Sequence, residues 1–173
     1  MVIRNSTKRL QKLNLIKMEA KTIWLLISVV IFIAYVLPVT MKFGVLQSIS
    51  HSYKHITNKI WYTLFMWGIA IPLFPVVSYS GWFFFAGAGL IFSGIAVGGN
   101  ADITIKVHVA GATGAIACGI AGMVFSLHEY WLAIITTALI GILYFAKLKN
   151  HTYWIEVIAY ASIIYALLKT NIL

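Results

Sequence analysis

Val107–Leu127 reads VHVAGATGAIACGIAGMVFSL, a run of 21 residues without an Asp, Glu, Lys or Arg. A bilayer core about 30 Å thick needs roughly 20 apolar residues in a helix. A membrane-spanning strand would instead alternate apolar and polar residues over about ten positions. This run does not alternate, so it predicts a transmembrane helix. Five further stretches read the same way: Thr22–Val39, Ile60–Tyr79, Trp82–Gly98, Tyr130–Leu148 and Tyr153–Leu168. Little more than Ser78–Gly81 separates two of them, and His128–Glu129 separates another pair, so tight antiparallel hairpins are expected there. The predicted fold is all-α and integral to the membrane, a compact six-transmembrane-helix bundle.

Composition agrees. Of the 173 residues 61% are hydrophobic and 10% charged, and the mean hydropathy is +0.92. Soluble domains are about 45–50% apolar and about 25% charged. A soluble globular enzyme is excluded, and so is a disordered chain, which requires low hydrophobicity. Lys and Arg number 13 against four acids, a formal charge of +9. These cations lie between apolar runs rather than in one patch, which suits anionic lipid head groups and implies no nucleic-acid partner. Cys118 stands alone, so no intrachain disulfide forms.

Residues 1–21 form a basic amphipathic N-terminal segment, ahead of a single six-helix domain over 22–173. Arg4, Lys8, Arg9, Lys12, Lys17 and Lys21 face only Glu19, while Leu10, Leu13 and Ile16 make a rough helical stripe. Such a segment lies on a membrane surface. The apolar run after it ends in Leu37-Pro38-Val39-Thr40 with no small-residue cleavage site, so it reads as retained. Lys and Arg divide almost evenly between the two faces. The dense cluster before the first span decides the orientation, with the N-terminus and C-terminus both cytoplasmic.

Six spans place residues 40–59, 99–106 and 149–152 on one face. That face receives His51, His55, Asp102 and His151, with His108 at the mouth of the fourth span and Glu156 about one turn inside the sixth. An acid within a span is costly and marks a candidate site. His51 and His55 are four residues apart, as paired metal ligands on a helix are. With His108 they form a candidate metal set, zinc being the candidate cofactor. His108, Glu156, Asp102 and Ser50 are the candidate catalytic residues, as acid–base groups or, for Ser50, a nucleophile. The same residues also suit the lipid–water interface, where His and Lys hydrate and snorkel. Glu156 has Lys149, Lys106, His108 and the histidines of the first connection as its expected partners.

That first connection carries Gln47-Ser48-Ile49-Ser50-His51-Ser52-Tyr53. Its serines read either as a nucleophile beside a histidine or as caps for the helix leading into the second span; no G-x-S-x-G elbow surrounds them. Gly111, Ala115 and Gly119, and again Gly114, Cys118 and Gly122, repeat at four-residue spacing, a signal for close helix packing or for a homo-oligomer. Gly98-Gly99-Asn100 lacks the Gly-Lys-Ser/Thr of a phosphate loop. Pro72 and Pro75 predict a kink in the second span. Trp61, Trp82, Trp131 and Trp154 sit near span ends, as interfacial anchors do.

Ser48, Ile49, Ser50 and Tyr53, then Gly94 to Gly99, then His108 with Ala112, together resemble the six-helix membrane proteins of the DRAM/Sfk type and several bacterial and phage membrane families. The resemblance covers roughly residues 23–127. It implies the six-helix architecture and a distant likeness to ceramidase-like membrane hydrolases, whose zinc is held by three histidines. This chain has no His-x-x-x-His in its last span and no histidine in its second.

The expected function is that of a small integral membrane protein acting through helix packing or lipid contact, a membrane-acting accessory or effector with membrane lipid as its partner. The alternatives are a metal- or histidine-dependent membrane hydrolase acting on lipid, and a small oligomeric channel or transporter.

Overall fold

In a computed structural model, the protein is described over residues 2–77, 80–95 and 102–172, with side chains over 18–76, 80–95 and 105–170. Every regular element among these residues is helical. Helix α1 spans Val2–Phe43, α2 Ile60–Ala70, α3 Phe74–Val77, α4 Gly81–Ile95, α5 Asp102–Phe125, α6 Tyr130–Ala146 and α7 His151–Ile172. Short 3-10 turns lie at Ser50–Lys54 and Ile71–Leu73. Three stretches are long and apolar enough to cross a membrane: Met18–Phe43, Ile105–Phe125 and His151–Thr170. Three apolar helices, Ile60–Val76, Gly81–Ile95 and Tyr130–Ala146, are shorter.

The N-terminal segment and the first span belong to one continuous helix. Pro38 does not end α1, as the run expected to stop at Val39 implied. The helix continues to Phe43 and stops at Gly44, whose φ of 75° suits a residue without Cβ. The tandem prolines act as predicted. Pro72 cannot donate, so α2 tightens into a 3-10 turn before α3 resumes. That tightening frees carbonyls, and the Ser28 hydroxyl of α1 donates to Ile69 O at 2.8 Å. In a lipid environment such a carbonyl must be satisfied internally.

Helices α4 and α5 make the closest pair. A Cβ at Gly111 would stand 2.8 Å from Gly89 O and 3.0 Å from Ser93 N, so backbone meets backbone there. The stripe does not serve a single partner, however. Four residues of α-helix overshoot a full turn by about 40°, so Gly119 has rotated away from α4 and faces Ile163 of α7. Gly122 of the second stripe packs against the Phe83 ring, whereas Gly114 has nothing within 4 Å. Gly98, Gly99, Asn100 and Tyr79 lie outside the described residues, as do the side chains of Asp102 and of Arg4, Lys8, Arg9, Lys12 and Lys17.

Between the helices the core is aromatic. Tyr35 stacks on Phe65 with ring centroids 4.0 Å apart, and Phe32 on Tyr160 at 4.1 Å. Outside, apolar side chains face outward: Trp131 is 78% and Phe145 82% exposed.

Candidate functional site

The site begins at the N-terminal end of α7. Glu156 sits one turn in, and its Oε2 accepts the Ile49 N–H at 2.6 Å. The Ser50 N–H also donates to it. Glu156 thus caps the 3-10 turn Ser50–Lys54 from across the bundle. The neighbouring bonds run between the same two segments. Tyr153 N donates to Gln47 O at 3.0 Å, and Asn150 Nδ2 donates to Val45 O at 2.7 Å. The Tyr153 and Thr40 hydroxyls meet at 2.7 Å. The first turns of α7 therefore clamp residues 44–50. The partners expected for Glu156 were lysines or histidines; backbone N–H groups take that place.

Glu156 also lines a cavity of about 90 Å³ between α2, α4, α5 and α7. Its wall follows one face of α7 through Glu156, Tyr160, Ile163 and Leu167, and one face of α2 through Tyr62, Phe65 and Ile69. Polar groups concentrate at one end, where Ser50, Tyr62, Ser93 and Glu156 meet. The rest is almost wholly apolar, apart from Tyr160, whose hydroxyl is turned to Ser28 at 2.7 Å.

His108 joins this polar end from α5. Its Nδ1 lies 2.8 Å from the Ser93 carbonyl oxygen and 3.0 Å from Ser93 Oγ. A carbonyl only accepts, so Nδ1 carries the proton, and Ser93 Oγ is not facing a free base there. Ser93 is also within hydrogen-bonding range of Tyr62. The histidine thus anchors α5 to α4, and Ser93 is buried to 1% exposure.

The histidines of the first connection do not line this cavity. His51 and His55 have ring centroids 5.5 Å apart, with the Phe43 ring 5.4 Å from His55. Among the described residues, no group of three or more His, Cys, Asp or Glu is gathered closely enough to hold a metal ion. The three-histidine zinc centre of the ceramidase-like hydrolases does not fit the residues described. His51, His55 and His108 are not brought together as one ligand set among the described residues. Burial and the neighbouring Lys54 and His55 hold the His51 imidazole below its ordinary value near 6.5. Ser50 Oγ pairs with Ser48 Oγ at 2.8 Å, and Ser48 Oγ accepts the His51 N–H at 3.0 Å. The serines therefore stabilise the Ser50–Lys54 turn rather than capping α2, whose N-cap is Lys59; just before it, Asn58 Oδ1 accepts the Ile60 N–H at 3.1 Å.

At the opposite end of α7, Lys169 pairs with Glu129 at 2.8 Å, and Ser80 meets Ser126 at 2.6 Å. His128 and Glu129 thus lie at the far end of the bundle from Glu156. Sequence reasoning missed Ser28, Tyr62, Ser93 and Tyr160. The signal available was a hydroxyl inside an apolar run, which in membrane helices commonly bonds across to a neighbour.

No family model, curated protein or solved structure matches the chain.

Proposed function

We propose that the chain is a six-span integral membrane protein that acts through lipid contact, as a membrane-acting accessory or effector. The outward-facing apolar surface is the observation that carries this reading. Ile142 is 62%, Trp131 78%, Phe145 82% and Met41 79% exposed. Water would penalise that surface, and lipid would cover it. The three shorter helices complete six spans if α2 and α3 cross together through their proline kink. The hydrolase alternative would draw on Ser50, His108, Asp102 and Glu156, but Ser50 Oγ pairs with Ser48 Oγ and His108 Nδ1 is held by the Ser93 carbonyl.

Six spans put His151 and His128 on opposite faces, with both termini cytoplasmic. In a Cys118→Ser background, a membrane-impermeant thiol reagent applied to intact cells should label His151→Cys and spare His128→Cys. Labelling of both, or of neither while both react after permeabilisation, refutes the six-span topology. Labelling of position 128 alone reverses the orientation.

A further inference from the structure

We infer that the cavity between α2, α4, α5 and α7 is a binding slot for one single-chain amphiphile whose head donates hydrogen bonds, such as a long-chain amine or alcohol. This rests on the membrane reading above and names the ligand class of that lipid contact. The first argument is shape. The α7 wall runs from Glu156 to Leu167, eleven residues, which at 1.5 Å per residue is about 16 Å. That length matches a single extended alkyl chain, and a volume of about 90 Å³ leaves no room for the second chain of a two-chain lipid.

The second argument is chemistry along the slot. An apolar lining such as Phe65, Ile69, Ile163 and Leu167 offers water no partners, and cavities of that kind stay dry. An unfilled void forfeits dispersion contacts on every side. A hydrocarbon chain restores those contacts, and the bilayer supplies such chains. The third argument is the polar end. Glu156 already takes N–H donors from Ile49 and Ser50, so it is an acceptor there. A carboxylate offers about four acceptor positions, which leaves room for a donor from the slot. An amine or alcohol head supplies that donor. A fatty-acid carboxylate would instead set acceptor against acceptor and is disfavoured.

The segment carrying Ile49 and Ser50 closes the polar end, and both residues line the slot. The head group therefore meets the same carboxyl that holds this segment down.

The test uses the full chain in nanodiscs of dioleoyl phosphatidylcholine, with dodecylamine, dodecanol and dodecanoate as probes. A ligand that binds only the folded state stabilises it by mass action. At about 100 times its dissociation constant, dodecylamine or dodecanol should raise the unfolding temperature by roughly 5 °C or more, and dodecanoate should not. Glu156→Gln should shrink the difference between dodecylamine and dodecanoate. Ala159→Leu and Ala112→Leu, which push side chains into the slot from α7 and α5, should remove the shift, and either variant that folds suffices. Equal shifts from all three probes overturn the head-group assignment. Shifts that persist in the filled variants show a bilayer effect and overturn the slot. If labelling confirms six spans and no probe moves the wild-type transition, this inference fails while the membrane reading stands. If labelling breaks the topology, the six-span reading fails whatever the probes do.

Discussion

Replacing Gly111 by alanine should destabilise the bundle, while the same change three residues later should not. The added Cβ at position 111 would lie 2.8 Å from Gly89 O and 3.0 Å from Ser93 N. Both are backbone atoms of α4 and cannot rotate aside, so α4 and α5 must separate by several tenths of an ångström along their closest contact. Overpacking of this kind costs about 1–3 kcal/mol. Alanine for glycine within a helix returns about 0.5–1 kcal/mol. The net expectation for Gly111→Ala is a loss of about 1–2 kcal/mol. At Gly114 nothing lies within 4 Å, so only the gain remains. Reversible unfolding in mixed detergent micelles, monitored by tryptophan fluorescence, separates the two. Equal stability of Gly111→Ala and Gly114→Ala would mean that α4 and α5 are not in backbone contact, and the reasoning would be refuted.

Two further outcomes are expected. Glu156→Ala leaves the Ile49 and Ser50 N–H groups without their acceptor, and hydrogen bonds to a carboxylate contribute about 1.5–3 kcal/mol; amide exchange at residues 49 and 50 should accelerate at least tenfold, with Glu156→Gln intermediate, and unchanged exchange would show that the clamp is not formed. His51 is held below its ordinary value by burial and by Lys54 and His55, so the unfolded chain takes up that proton first; stability should be full above pH 6.5 and fall as the pH drops through it, levelling off below the folded value, and a melting profile between pH 7.5 and 5 that is identical in His51→Gln would refute the assignment.

The helices were legible because their apolar runs are continuous, and Val107–Leu127 admits no strand reading. Their ends were less so. Pro38 looked like a terminus, yet it sits inside α1, because a proline removes one donor and a neighbouring helix environment can absorb that loss. The small-residue stripe on α5 was legible as a packing surface, but not its division between α4 and α7. That division follows from the rotation left over at every fourth residue, which a linear spacing conceals. Glu156 stood out as the acid inside a span. Its partners did not, because a backbone N–H has no signature in a sequence. Likewise Ser93 and Tyr62 carry no motif, and only the approach of α2, α4 and α5 brings them to Glu156.

The position of Glu156 also explains how residues 44–50 can leave helical geometry next to a span. Backbone groups withdrawn from water need partners supplied by the protein. Leu46 and Ile49 are buried to 8% exposure and hold the segment inward, which removes water from part of its backbone. Helix α7 supplies the replacements in order: the Asn150 amide for Val45 O, the Tyr153 N–H for Gln47 O, and the Glu156 carboxyl for the N–H groups of Ile49 and Ser50. Ser48 Oγ then accepts the His51 N–H and continues the series into the 3-10 turn. A serine or asparagine at 156 would be too short to reach two successive N–H groups from the neighbouring helix, and a lysine has no acceptor. The carboxyl that is costly in a span thus has the length and acceptor capacity to close this end of the bundle, and Glu156 also lines the cavity.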